Sequence, residues 1–166
     1  MFTVHYEYLM EISTALMDGH IKYGMGKKAQ LHAEPSEIKA IDCSGFTRYL
    51  MHKVSDGRIK MVDGSNEQNA WCKKKQLQAE RYNQASVNDN LLRIAFIPRV
   101  YKDGKVVRAG HVWLILNGET LESHGKDIGP DRRPWDTPVL KNRVKTCYVL
   151  ARLYSMTMGP VTIKQA

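Results

Sequence analysis

Cys43, His111 and His124 are the residues of this chain whose types and settings could do chemistry together. A thiol becomes a useful nucleophile when a base takes its proton. The imidazole that serves as base works best when a third polar group fixes its tautomer and angle. Cys43 as nucleophile, His111 as base and His124 as orienting group would fill the three roles. Glu122 is the rival for the third. Two histidines and a glutamate could instead hold zinc, but that reading leaves Cys43 without a part. The bland alternative is a buried structural cysteine and two histidines at a sheet end.

The elements that must position these groups are legible around each of them. Asp42 suits a helix cap, and Phe46, Tyr49, Leu50 and Val54 recur at helical spacing, which predicts a helix over 43–53. Cys43 then lies in the first turn, where unpaired N–H groups and the helix dipole favour a thiolate. Gly45 removes a side chain beside the sulfur, so another backbone or a substrate can come close.

The histidines fall on a hairpin whose register can be counted. Asn117-Gly118 is a strong two-residue turn signal between the runs 111–116 and 119–124. Leu116 then pairs with Glu119, Ile115 with Thr120, Leu114 with Leu121, Trp113 with Glu122 and Val112 with Ser123. His111 is expected opposite His124. Directly opposed residues share a face, with Cβ atoms roughly 4.5–5.5 Å apart.

The rest of the chain frames this pair. Residues 6–18 read as a helix, with Leu9, Ile12 and Leu16 on one stripe. A second helix start is expected at Ser36, and helical composition continues over 67–81. Residues 91–97 form an apolar strand, and Asp103-Gly104 marks a hairpin between 100–102 and 105–107. Residues 125–138, with three prolines, read as an excursion loop, 144–154 as a last strand, and the remainder as a tail. Helices first and an antiparallel meander second predict an α+β fold in one domain over 1–166.

With 166 residues, 43% hydrophobic and 25% charged, the composition is that of a globular protein. The net charge of +8 points to an anionic partner. No zinc-finger spacing or RNA-binding aromatic motif accompanies it, which argues against nucleic acid. There is no CxxC pair, so thiolate metal binding is not expected, and no cofactor is called for. Three cysteines leave at least one thiol free; Cys72 and Cys147 are a candidate disulfide. The first eight residues have neither the basic start nor the apolar run of a signal peptide, and no stretch is apolar enough to span a membrane.

Asp42-Cys43-Ser44-Gly45-Phe46 resembles the nucleophile motif of the NlpC-type (NlpC and P-sixty) cell-wall cysteine peptidases. Gly110-His111-Val112 resembles their histidine motif, in the Cys-then-His order of the unpermuted branch. His124 matches the third polar position on the following strand, and Tyr23-Gly24-Met25-Gly26 is similar to a segment that helps bind substrate. The resemblance covers about residues 23–154. Two departures stand out: the usual Gly-Asp before the central strands is missing, and Trp113 stands where the family often has Gly.

The resemblance implies a papain-like fold that hydrolyses an amide bond of peptidoglycan stem peptides. Tyr23, Asp42, Ser44, Trp113 and Glu122 are then the expected substrate-binding residues. It implies a monomer, made without a signal peptide and delivered to the periplasm or wall by a phage or a secretion apparatus. An immunity or delivery protein would be its partner. An inactive wall- or protein-binding module, or a cysteine toxin or acyltransferase with a cytosolic target, are the alternatives.

Overall fold

The longest apolar runs of the chain become neighbouring strands. The structure, a computed structural model, describes residues 1–85, 89–155 and 159–160. In chain order the elements are β1 (Phe2–His5), α1 (Tyr6–Asp18), β2 (Lys22–Tyr23), β3 (Ala40–Ile41), α2 (Cys43–Val54), α3 (Ser65–Lys74) and β4 (Ala79–Arg81). They continue with β5 (Leu91–Ile97), β6 (Val100–Lys102), β7 (Lys105–Arg108), β8 (His111–Leu116), β9 (Glu119–His124) and β10 (Gly129–Asp131). Last come α4 (Pro138–Arg143), β11 (Thr146–Ser155) and β12 (Gly159–Pro160). The expected tail beyond residue 154 falls largely outside the described residues.

The main sheet runs β1-β11-β5-β8-β9-β10, antiparallel throughout except for the parallel pair β1–β11. It is the expected α+β arrangement, with N-terminal helices on a central, mostly antiparallel sheet. Both faces are covered, which is why β5 and β8 read as continuous apolar runs instead of alternating ones. On one face Val112, Leu114 and Leu116 pack with Leu9, Leu16, Phe46 and Leu50 of α1 and α2. On the other, Trp113 and Ile115 pack with Ala95, Tyr82 and Leu140. Phe46 and Leu50 are fully buried. Each such side chain contributes about 1.5–3 kcal/mol, enough to hold α2 against the sheet.

Several elements differ from the sequence reading, each for a nonlocal reason. The helix expected over 67–81 runs only from Ser65 to Lys74. Gln76 takes a left-handed conformation (φ 55°), and Ala79–Arg81 then pair antiparallel with Tyr148, Cys147 and Thr146. Strand pairing overrides helical composition there. The expected helix start at Ser36 is a single 3₁₀ turn over Pro35–Glu37. β1 has no local signal, because its partner Ala151–Tyr154 lies at the far end of the chain. The excursion loop holds β10, and a short helix, α4, follows it.

The hairpin turns are as read. Asp103 and Gly104 (φ 52° and 74°) and Asn117 and Gly118 (φ 60° and 76°) have the positive angles of two-residue hairpin turns. Cys43, Cys72 and Cys147 are all free. Cys72 and Cys147 sit in different core clusters, so the candidate disulfide is absent.

Candidate active site

The site is built where the start of α2 meets the ends of β8 and β9. β2 and β3 pair in parallel, with Tyr23 opposite Ile41, which brings Tyr23 next to the residues that enter α2. The Ser123 hydroxyl of β9 donates to the Ile41 carbonyl at 2.8 Å, fixing the end of the hairpin to the same entry.

Asp42 is the helix cap that the sequence predicts. Its Oδ1 accepts from the Gly45 N–H at 2.7 Å, and its Oδ2 from the Gly26 N–H at 3.1 Å. The Lys28 ammonium donates at 2.7 Å to both carboxylate oxygens and to the Ser44 hydroxyl. The backbone that approaches Gly45 is that of Lys27: a Cβ on Gly45 would meet Asp42 Oδ1 at 2.8 Å and the Lys27 carbonyl at 3.2 Å. Asp42 and Ser44 are both buried. Their side-chain oxygens serve the cap and Lys28, so the substrate-binding role expected of them meets an occupied carboxylate and hydroxyl.

Cys43 follows the cap as the first residue of α2 and is buried. The His111 imidazole and the Tyr23 hydroxyl both lie close enough to interact with its thiol. Burial raises the Tyr23 hydroxyl well above its ordinary value, and the nearby Cys43 and Asp42 charges raise it further. His111 Nε2 lies 2.8 Å from Glu122 Oε1, which leaves Nδ1 as the nitrogen for the sulfur. The His111 ring also stacks on Trp113, with centroids 5.2 Å apart and planes 26° apart.

Glu122 is fully buried, and a bidentate guanidinium holds it from the other side. Arg133 donates from Nε to Oε2 and from Nη2 to Oε1, both at 2.9 Å. Burial alone would raise the carboxyl, but the His111 and Arg133 hydrogen bonds outweigh it and bring Glu122 down to about 2. Burial likewise opposes the charge of His111. Hydrogen bonds and charges from Cys43 and Glu122 win, and raise it to about 9.

The third group on His111 is therefore Glu122, where the sequence reading puts His124 first. His124 Nε2 bonds Asp131 Oδ2 at 2.9 Å instead. The predicted register holds for Leu116–Glu119, Ile115–Thr120 and Leu114–Leu121. Beyond Leu121 the β8–β9 ladder ends, and β9 pairs with β10 on its other edge, with Asp131 opposite Glu122 and Gly129 opposite His124. His111 then reaches the diagonal residue, two positions from the one counted as opposite. Diagonal neighbours lie about 7–8 Å apart, within range of a long side chain such as glutamate.

Two further expectations change. Trp113 is fully buried in the smaller core cluster, so it supports the His111 ring and does not face a substrate. Glu122 is likewise enclosed. Among the described residues no three His, Cys, Asp or Glu side chains converge as metal ligands. The sequence reading missed Arg133, Lys28 and Asp131. Nothing local ties Arg133 to Glu122. It is fixed by Thr120, whose N–H donates to the Arg133 carbonyl at 2.8 Å and whose hydroxyl accepts from the Arg133 N–H at 3.1 Å.

Beside this cluster opens a cleft of about 530 Å³. Tyr23 and His111, the two residues that interact with the thiol, are part of its lining, with His124, Lys126, Arg133 and Arg143. Such an arrangement can present a thiolate and a proton carrier to a carbonyl bound in the cleft.

No family model and no curated protein matches the chain. Solved structures do. The P60 domain of M. avium subspecies paratuberculosis antigen MAP1204 aligns over 84% of this chain and 91% of that one, at 21% identity and TM-score 0.50. NlpC1 from Trichomonas vaginalis is 14% identical over 86% of this chain and 44% of its own, with TM-score 0.45. An NlpC/P60 family protein from Bacillus cereus is 16% identical over 83% and 40%, with TM-score 0.46. At these identities the likeness is one of fold. Helices packed against a mostly antiparallel sheet, together with the structural match to the P60 domain, give this chain the papain-like fold of NlpC/P60 domains.

Proposed function

We propose that the protein is a cysteine peptidase that hydrolyses an amide bond in peptidoglycan stem peptides. The observation that carries this reading is the chain of contacts from Cys43 through His111 to the buried Glu122. It supports a mechanism in which Cys43 is the nucleophile, His111 the proton carrier and Glu122 the group that orients it. The fold shared with the P60 domain and the net charge of +8, suited to an anionic wall, support the substrate class.

In this mechanism the Cys43 thiolate attacks the scissile carbonyl carbon. The developing oxyanion lies at the start of α2, where unpaired N–H groups and the helix dipole stabilise negative charge. The His111 imidazolium gives its proton to the departing amine as the C–N bond breaks, leaving a thioester on Cys43. His111, now neutral, takes a proton from water, whose oxygen attacks the thioester. The acid product leaves and the thiolate–imidazolium pair is restored. Glu122 keeps Nδ1 aimed at the sulfur throughout, and Trp113 supports the ring from its face. Tyr23, at the sulfur and in the cleft wall, is the substrate-binding residue this reading retains.

The test is digestion of purified sacculi followed by mass spectrometry of the released muropeptides. The wild-type protein should yield fragments that Cys43→Ala does not. Equal fragment yields from the two proteins would overturn the proposal.

A further inference from the structure

The cleft beside Cys43 carries more positive charge than its own residues neutralise. Three of its cationic or titratable groups have carboxylate partners: Arg133 and His111 are engaged by Glu122, and His124 by Asp131. Lys126 and Arg143 have no carboxylate partner among the described residues, and no carboxylate lines the cleft. Burial makes the charge of Arg143 less favourable, and the neighbouring Arg108 adds repulsion rather than relief. The remaining wall is apolar, from Met25, Ile97, Val139 and Leu140. Two unneutralised cations over an apolar floor form a site for an anion attached to an apolar or extended chain.

We infer that Lys126 and Arg143 select substrates bearing a carboxylate close to the scissile amide. This rests on the assignment of Cys43 as nucleophile and adds the class of group recognised beside it. Arg143, with its planar fork, suits a carboxylate held in a fixed orientation, and Lys126 supplies a mobile point charge at the rim. A focused positive potential also raises the local concentration of anions before they dock. Asp127 and Asp136, the nearest acidic residues in sequence, are not in the lining.

The experiment compares two thiol reagents of similar size, anionic iodoacetate and neutral iodoacetamide. The rate of Cys43 modification is read by mass spectrometry on wild type, on Lys126→Gln/Arg143→Gln and on Lys126→Glu/Arg143→Glu. The wild type should have the highest iodoacetate-to-iodoacetamide ratio. That ratio should fall several-fold in the neutral variant and about tenfold or more in the acidic one. His111 is present in all three proteins, so its charge cancels from the comparison. The neutral variant keeps the test sound should the charge reversal disturb the end of α4. A second arm offers soluble stem peptides with free carboxylates or with the same groups amidated. Amidation should lower kcat/KM for the wild type far more than for the neutral variant. If Cys43 is modified readily but the ratio is the same in all three proteins, the carboxylate site is wrong and the nucleophile stands. If folded protein leaves Cys43 unmodified by both reagents, the nucleophile assignment fails and this proposal falls with it.

Discussion

Two histidine–carboxylate pairs lie on the same end of one hairpin and differ in almost nothing but their surroundings. His111 bonds Glu122 at 2.8 Å, and His124 bonds Asp131 at 2.9 Å, each through Nε2. Both pairs are diagonal contacts between neighbouring strands. The carboxylates are what separate them. Glu122 is 0% exposed and is gripped from behind by Arg133, whereas Asp131 is 40% exposed. A solvated carboxylate can turn away at little cost. A buried one cannot lose its partners without leaving a charge unpaired in the interior. Bond length alone would call the pairs equivalent; burial and the second cation make only the first a rigidly held pair, and only the first interacts with Cys43.

The largest expected effect breaks this comparison at the imidazoles. His111→Ala should cut muropeptide release about 10⁴-fold, nearly as much as Cys43→Ala, because residues acting as one unit fail together. His124→Ala should stay within about fivefold of wild type, since its ring lines the cleft without touching the sulfur. Rates of cleavage for the three variants at neutral pH check both halves. Comparable losses from the two histidines would remove the asymmetry.

The next effect breaks the comparison at the carboxylates. Glu122→Gln keeps the size of the side chain but removes the charge that aligns His111 and balances Arg133. Its kcat should fall about 10²-fold or more. Asp131→Asn, the matched change in the exposed pair, should alter kcat less than about threefold. The stability cost should differ as well. Breaking a buried ion pair costs about 3–5 kcal/mol, and the exposed pair contributes at most about 1. Urea midpoints for the two variants measure that difference.

Arg133→Gln asks whether the second cation matters. Glu122 would keep His111 but lose its bidentate partner, and the buried carboxylate would be left half satisfied. We expect a loss of about 2–3 kcal/mol, toward the low end for a buried pair because Arg133 is partly exposed. We also expect a smaller loss of kcat than for Glu122→Gln. If Arg133→Gln matches wild type in both, the clamp is dispensable and burial alone separates the two pairs.

How much of this was visible before the structure depends on how far apart the interacting residues lie. The cap at Asp42, the helix after it and the turn at Asn117-Gly118 are local, and each sequence expectation holds there. The register is local too, and holds as far as Leu121. The choice between His124 and Glu122 is not local. It depends on β9 turning from β8 to β10, and on an excursion loop that carries Arg133 back to Thr120. Lys28 illustrates the same limit. It lies in a polar, irregular stretch with no signal, yet its ammonium sits on the carboxylate that caps the helix of Cys43.

The smallest effect is in the pH dependence of stability, and it separates the pairs without any substrate. The folded value of His111 is raised to about 9, above the ordinary histidine value of 6.5. A group raised on folding contributes stability that is fully present below its unfolded value. The contribution drains away as pH climbs through the folded one. Wild-type stability should therefore decline between about pH 6.5 and pH 9 through His111. Glu122 works in the opposite sense. Its folded value is depressed to about 2 from an ordinary 4.5, so its contribution is present above 4.5 and is lost as pH falls toward 2. Comparing Tm from pH 5 to pH 10 isolates the first window, because Glu122 stays ionised throughout it. His111→Gln should flatten the decline. His124→Gln should keep the wild-type slope, because the group responsible is still in place. If both variants retain the slope, some other group carries the alkaline loss and the raised value of His111 is wrong. If His124→Gln alone flattens it, the strongly held imidazole is the one beside Asp131, and the contrast between the two pairs is reversed.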